Sequence, residues 1–196
     1  GITKFTQISL FSVLNNLFNI SFEPQFAAIC GITEKEISDN FKPELEEMSK
    51  VNGWTIDETH RKLKEYYDGY HFSRRNMTDI YNPFSLVNAL NALELRNFWA
   101  QSGATSMLPK FVDNMELRLE QLDNCFIDRD TLETSDVTGG GAELFLYQTG
   151  YLTIKDFDDD VYTLGFPNEE VKRALYRVVV PALTMRTNSD VVSTQS

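Results

Sequence analysis

Glu170-Val171-Lys172 is the segment of this sequence closest to a catalytic signature. It reproduces the E-x-K half of a nuclease motif, with Asp156 to Asp160 a short way upstream. That chemistry gathers an Asp, a second acid and a Lys around a metal ion. It requires E-x-K on a strand beside the Asp. Here Pro167-Asn168-Glu169-Glu170 instead reads as the opening of a helix, so the expectation is a surface helix. His60 and His71 have no Ser, Cys or Asp at a spacing that suggests a nucleophile and its base. Cys30 and Cys125 lie far apart, and neither has a Cys or His at metal-ligand spacing, which points to reduced thiols rather than a zinc site. Gly139-Gly140-Gly141 is not followed by GxxxxGK[ST] and reads as a joint or a helix start. No catalytic residue and no metal ligand is assigned within this chain.

The elements that would position these residues are mostly helical. Gly1 to Leu10 reads as a chain entered mid-domain, at a strand running into a helix. Ile8, Phe11, Leu14, Leu17 and Phe18 form that helix's apolar face. Thr33-Glu34-Lys35-Glu36 and Thr55-Ile56-Asp57-Glu58 are capping boxes. Pro43 suits a first helical turn, and Gly53 ends the helix carrying Leu45 and Met48. The second box starts a helix with Leu63, Tyr66 and Tyr67. The pattern breaks at Tyr67-Asp68-Gly69-Tyr70-His71-Phe72, where Gly69 supplies a turn and Tyr70 and Phe72 alternate as in a short strand. Asn82 caps and Pro83 begins an apolar helix through Leu93. A helix is expected around Ser106–Val112. Leu117, Leu119 and Leu122 fit either a strand or a helix. Glu143–Gln148 reads as helix, and Tyr151–Asp156 and Val161–Leu164 as strands joined at Phe157-Asp158-Asp159-Asp160. Helix then hairpin is the outline of a winged-helix unit. A last helix runs from Pro167 through Val180, and 184–196 reads as a frayed polar tail.

At 196 residues and 42% apolar content the chain can bury a real core. No apolar run approaches the roughly 20 residues of a membrane helix, and the start lacks a secretion-signal layout, so a cytoplasmic protein is expected. A net charge of −11 argues against nucleic acid spread over the whole surface. Arg74-Arg75 is a weak basic patch and reads as a solvated loop. Tyr66, Tyr67, Tyr70, Phe72, Tyr81 and Phe84 could stack bases but lack interleaved basic residues, so they are expected to pack an interior.

Six segments in order carry a family resemblance. They are Gly1-Ile2-Thr3-Lys4-Phe5 with Ser9 to Leu17, Tyr67 to Phe72, Tyr81 to Leu86, Phe98-Trp99-Ala100-Gln101-Ser102-Gly103, Gln148 to Ile154, and Tyr162 to Val171. Together, over about residues 1–183, the chain resembles the AAA-ATPase-like family of bacterial proteins. The resemblance implies a parent with a phosphate-binding loop and an acidic metal-binding strand before this segment, and often a PD-(D/E)XK nuclease-like domain after it. It implies an α+β, mostly α fold: residues 1–25 as the edge of an ATPase sheet, 26–103 as a helical lid, 104–183 as a winged-helix-like unit, and 184–196 as a tail. ATP and Mg belong to the parent by resemblance, and no cofactor is expected for this segment alone. Thr3 and Lys4, at the end of the first strand, would orient water or contact the terminal phosphate. Arg96 would be a lid arginine contacting nucleotide, or else a partner of Glu94. The implied function is nucleotide-dependent coupling by a lid that does not itself hydrolyse ATP. Its implied partners are the upstream ATPase core, a downstream nuclease-like domain, and a protein partner or a second copy. The alternative is a non-enzymatic winged-helix module that binds protein.

Overall fold

The computed structural model describes residues 20–102, 119–134 and 141–193. The expectations for residues 1–19 and for a helix at Ser106–Val112 lie outside them. Among the described residues the protein is α+β and mostly α, with seven α-helices and one small antiparallel sheet.

The helical half is built by the caps. In α1 (Glu34–Asn40) and α3 (Ile56–Tyr67) the Thr33 and Thr55 hydroxyls accept the amides of Glu36 and Glu58, whose carboxylates reach back to the cap amides. These reciprocal bonds satisfy amides that a helix start leaves without partners. Between them α2 (Lys42–Asn52) carries Pro43 in its first turn and ends on Gly53 at φ 68°, a left-handed cap that suits glycine. Asn82 accepts the amides of Phe84 and Ser85 to start α4 (Pro83–Ala92). The helices enclose one core of Ile37, Leu45, Met48, Leu63, Tyr67, Tyr81, Leu86 and Phe98.

The second half alternates strand and helix: β1 (Cys125–Asp128), α5 (Arg129–Thr134), α6 (Gly141–Gln148), β2 (Thr153–Asp158), β3 (Val161–Gly165) and α7 (Glu169–Ser193). The sheet order is β1-β3-β2, with β1 and β2 both antiparallel to β3. The hairpin is tighter than its sequence suggests. Phe157 and Asp158 stay in the strand, and Asp159 and Asp160 make the turn with φ of 44° and 60°. Two successive left-handed residues match the right-handed strand twist, and Asp tolerates them better than branched residues do. Of the two expectations for the segment around Leu122 the helical one holds, as a 3-10 helix, Leu119–Asn124. The helix α7 continues to Ser193, past residue 184. This half surrounds a second core that includes Trp99, Leu132, Leu144, Tyr151, Ile154, Tyr162, Leu164 and Leu175.

Candidate functional site: the seam between the two cores

The two cores meet at Tyr67 to Phe72, the segment where helical periodicity stops. Tyr67 belongs to the helical core, and Tyr70 to the strand-bearing one. Tyr70 exchanges backbone hydrogen bonds with Ile80, and Tyr81 does so with Ile32, so three separated segments form a short ladder. Gly69 has φ +90°, and a Cβ there would stand 2.3 Å from the Pro167 carbonyl oxygen. Only glycine lets the backbone pass this close to the residues that open α7.

Side chains then lock the halves. The Tyr70 hydroxyl donates to the Gly150 carbonyl at 3.0 Å. The His71 amide donates to Thr153 Oγ1 at 2.8 Å, and the Thr153 hydroxyl donates to the His71 carbonyl. His71 Nδ1 donates to the Ile154 carbonyl, while Nε2 faces Asp79 at 2.6 Å. Asn168 Nδ2 donates to the Asp68 carbonyl at 2.9 Å. The Tyr67 hydroxyl donates to the Arg96 carbonyl, and the Asn82 amide donates to the Tyr67 carbonyl. Trp99 meets Tyr151 edge to face, with ring centroids 4.6 Å apart. The described members of the resemblance segments thus converge on one joint.

Two carboxylates inside this joint are buried. Glu170, fully excluded from solvent, accepts the amides of Phe98 at 2.7 Å and Trp99 at 2.9 Å through the same oxygen. Desolvation raises its pKa, opposed by the facing Ser85 hydroxyl and by those two amides. Asp68 is 1% exposed, and its carboxylate has only the adjacent Gly69 N–H beside it, with no hydrogen bond of good geometry to either oxygen among the described residues. Burial pushes its pKa up to about 6, and the neighbouring Gly69 N–H offsets only part of that. Lys64 stands 3.8 Å from Asp68 but 3.1 Å from Asp79, which it favours. Asp79, though partly desolvated, is held below the ordinary carboxylate range by Lys64 and His71. On the helical side Glu34 binds both the Tyr81 hydroxyl and His60.

Thr3 and Lys4 lie outside the described residues. Arg96 is half exposed, pairs with Glu94 at 3.0 Å and lies over the Phe98 ring. Glu170 does open a helix, but it is buried rather than on the surface. Its Lys172 pairs with Asp123 at 2.8 Å, while Asp160 pairs with Arg129 at the hairpin tip. Among the described residues no group of three or more His, Cys, Asp or Glu is placed to hold a metal ion. Arg74 is not in a solvated loop: it pairs with Glu133 at 2.9 Å and covers the Phe157 ring. Of the aromatic set, Tyr67, Tyr70 and Tyr81 are buried, while Phe84 is 47% exposed. Cys30 and Cys125 are both free. A groove of about 210 Å³ beside Lys42, Leu45, Ile56 and His60 is below the roughly 300–1,000 Å³ of small-molecule pockets. No helix among the described residues is long and apolar enough to cross a membrane. Asp68, Thr153, Asn168 and Glu170 were not singled out as joint residues by sequence reasoning. The break in helical pattern at Tyr67 to Phe72 was the available signal.

The chain is similar to a protein of Azotobacter chroococcum mcd 1 described as "Uncharacterized protein in vnfD 5'region". The two are 30% identical over 196 residues, which is 95% of this chain and 36% of that protein. The chain therefore spans about a third of the length of the curated relative it matches. No family model and no solved structure matches it.

Proposed function

We propose that this chain is the lid-bearing, C-terminal part of an AAA-ATPase-like protein, and that it conveys nucleotide-dependent closure to a neighbouring domain or partner. One observation carries the reading: the described segments that resemble the family are those that lock the two cores together at the seam. A lid can transmit motion only if its halves move together, and the seam supplies that stiffness through bonds between residues 70 to 100 positions apart. The length of the matched relative, which leaves room for a nucleotide-binding core, supports it further. ATP and Mg²⁺ would be held by residues preceding this segment, with Thr3, Lys4 and Arg96 as its own contributions. The protein would work in the cytoplasm.

The test uses the longer reading frame. A GxxxxGK[ST] loop is expected upstream of Gly1, and the longer product should hydrolyse ATP. Thr3→Ala and Lys4→Ala should each slow turnover by roughly tenfold or more with thermal stability unchanged. A parent without that loop, or unchanged turnover in both variants, overturns the proposal.

A second reading, a non-enzymatic winged-helix protein-interaction module, is favoured by one observation. The order β1-α5-α6-β2-β3, with the sheet arranged β1-β3-β2, continues the helix-then-hairpin outline. With a net charge of −11, its partner would be a basic protein surface rather than nucleic acid.

A further inference from the structure

We infer that the seam is proton-gated: Asp68 holds the two cores together when it carries a proton and loosens them when it is ionised. The inference stands whether or not the parent binds nucleotide.

The geometry carries it. Asp68 sits where the chain leaves α3 and passes Pro167, with a solvent-excluded carboxylate that has the adjacent Gly69 N–H beside it but no hydrogen bond of good geometry among the described residues. Its own carbonyl receives Asn168, so the residue is tied directly to the start of α7. A buried charge this poorly hydrogen-bonded is costly, and a protonated carboxyl in the same place costs less. The surrounding charges do not compensate. From α3, Lys64 is shared with Asp79 and lies nearer to it. From α1, Glu34 repels, as does Asp79 from the opposite loop. Tyr81 also faces it, and Lys155 of β2 is close enough to interact, but burial lowers the pKa of that lysine. His71 is committed to Asp79 and to the Ile154 carbonyl.

The sign follows from a folded-state pKa of about 6 against an ordinary 3.8. The stabilising contribution is complete below the ordinary value and is lost as pH rises through the folded one. From those two values, the equilibrium constant for opening the seam should rise roughly tenfold between about pH 5 and 7.5.

Hydrogen exchange of the Tyr70, His71 and Ile80 amides, corrected for intrinsic rates, reads that constant on the whole chain. Wild type should lose protection roughly tenfold over this window. Asp68→Asn, which mimics the protonated carboxyl, should stay protected and change by less than about twofold. Any contribution from His71 would survive that substitution, so a variant that keeps the full pH dependence overturns the inference, as does a flat wild-type profile. Should Asp68→Asn fail to fold, Asp68→Ser serves in its place. A carboxyl-carbon NMR titration of wild type decides independently: a midpoint well above the ordinary carboxylate range supports the gate, and one within it overturns the gate.

Discussion

Replacing Glu170 by alanine should be among the most damaging single changes in the protein. Its carboxylate receives the amides of Phe98 and Trp99, residues 5% and 1% exposed, at 2.7 and 2.9 Å. Neither amide has water to turn to when the side chain is truncated. Each orphaned N–H costs about 1–3 kcal/mol. Relief of carboxylate desolvation, the cause of the raised pKa, returns part of this. A net loss of about 2–4 kcal/mol is expected, a large share of the roughly 5–15 kcal/mol that holds a domain together. Glu170→Gln separates acceptor from charge. Both amides use one oxygen of Glu170, so a glutamine oxygen in the same place can receive both, and its cost should be under about 1 kcal/mol. Because the Glu170 pKa is raised, the wild-type carboxyl contributes most below the ordinary carboxylate value and less as pH rises. The glutamine variant should therefore gain ground between pH 5 and 8. Urea unfolding of wild type, Ala and Gln at both pH values measures all of this through midpoints at constant slope. If alanine costs under about 1 kcal/mol, the bonds do not carry the seam; if glutamine is as damaging as alanine, charge rather than acceptor geometry is what matters.

Two further outcomes test other parts of the structure. Gly69→Ala combines a φ of +90° with a Cβ 2.3 Å from the Pro167 carbonyl oxygen, and should cost about 3 kcal/mol or more by thermal or urea unfolding. Gly53→Ala, at φ +68° with open space around its Cβ, is the control and should cost about 1 kcal/mol. Alkylation of the folded protein at pH 8 should label exposed Cys30 at least about tenfold faster than buried Cys125, whose pKa is pushed up to about 11, and equal rates would contradict the packing of β1.

Much of the local structure was legible because its causes are local. Thr33 with Glu36, Thr55 with Glu58, and Asn82 with Pro83 each place a cap and its helix within four residues. The bonds that satisfy one also announce the other. The hairpin was visible from its run of aspartates, although its turn proved two residues long because Asp159 and Asp160 both adopt left-handed backbone. The strand β1 was missed, since four residues show too little alternation to stand out. Arg74 read as solvated because nothing nearby in sequence foretells Glu133, 59 positions on.

What the sequence by itself determined were most of the helix starts and stops, the hairpin and the mostly helical α+β class. Only the tertiary structure decided that the described resemblance segments, from Tyr67 onward, form a joint. Glu170 lies 72 residues from Phe98, and Asn168 lies 100 from Asp68. An acidic residue in a first helical turn is ordinarily a solvated partner for the helix dipole, so its pattern carries no mark of burial. Burial is set by what packs against a position from elsewhere in the chain, and a carboxylate's chemistry changes when water leaves it, which no spacing between neighbours can record.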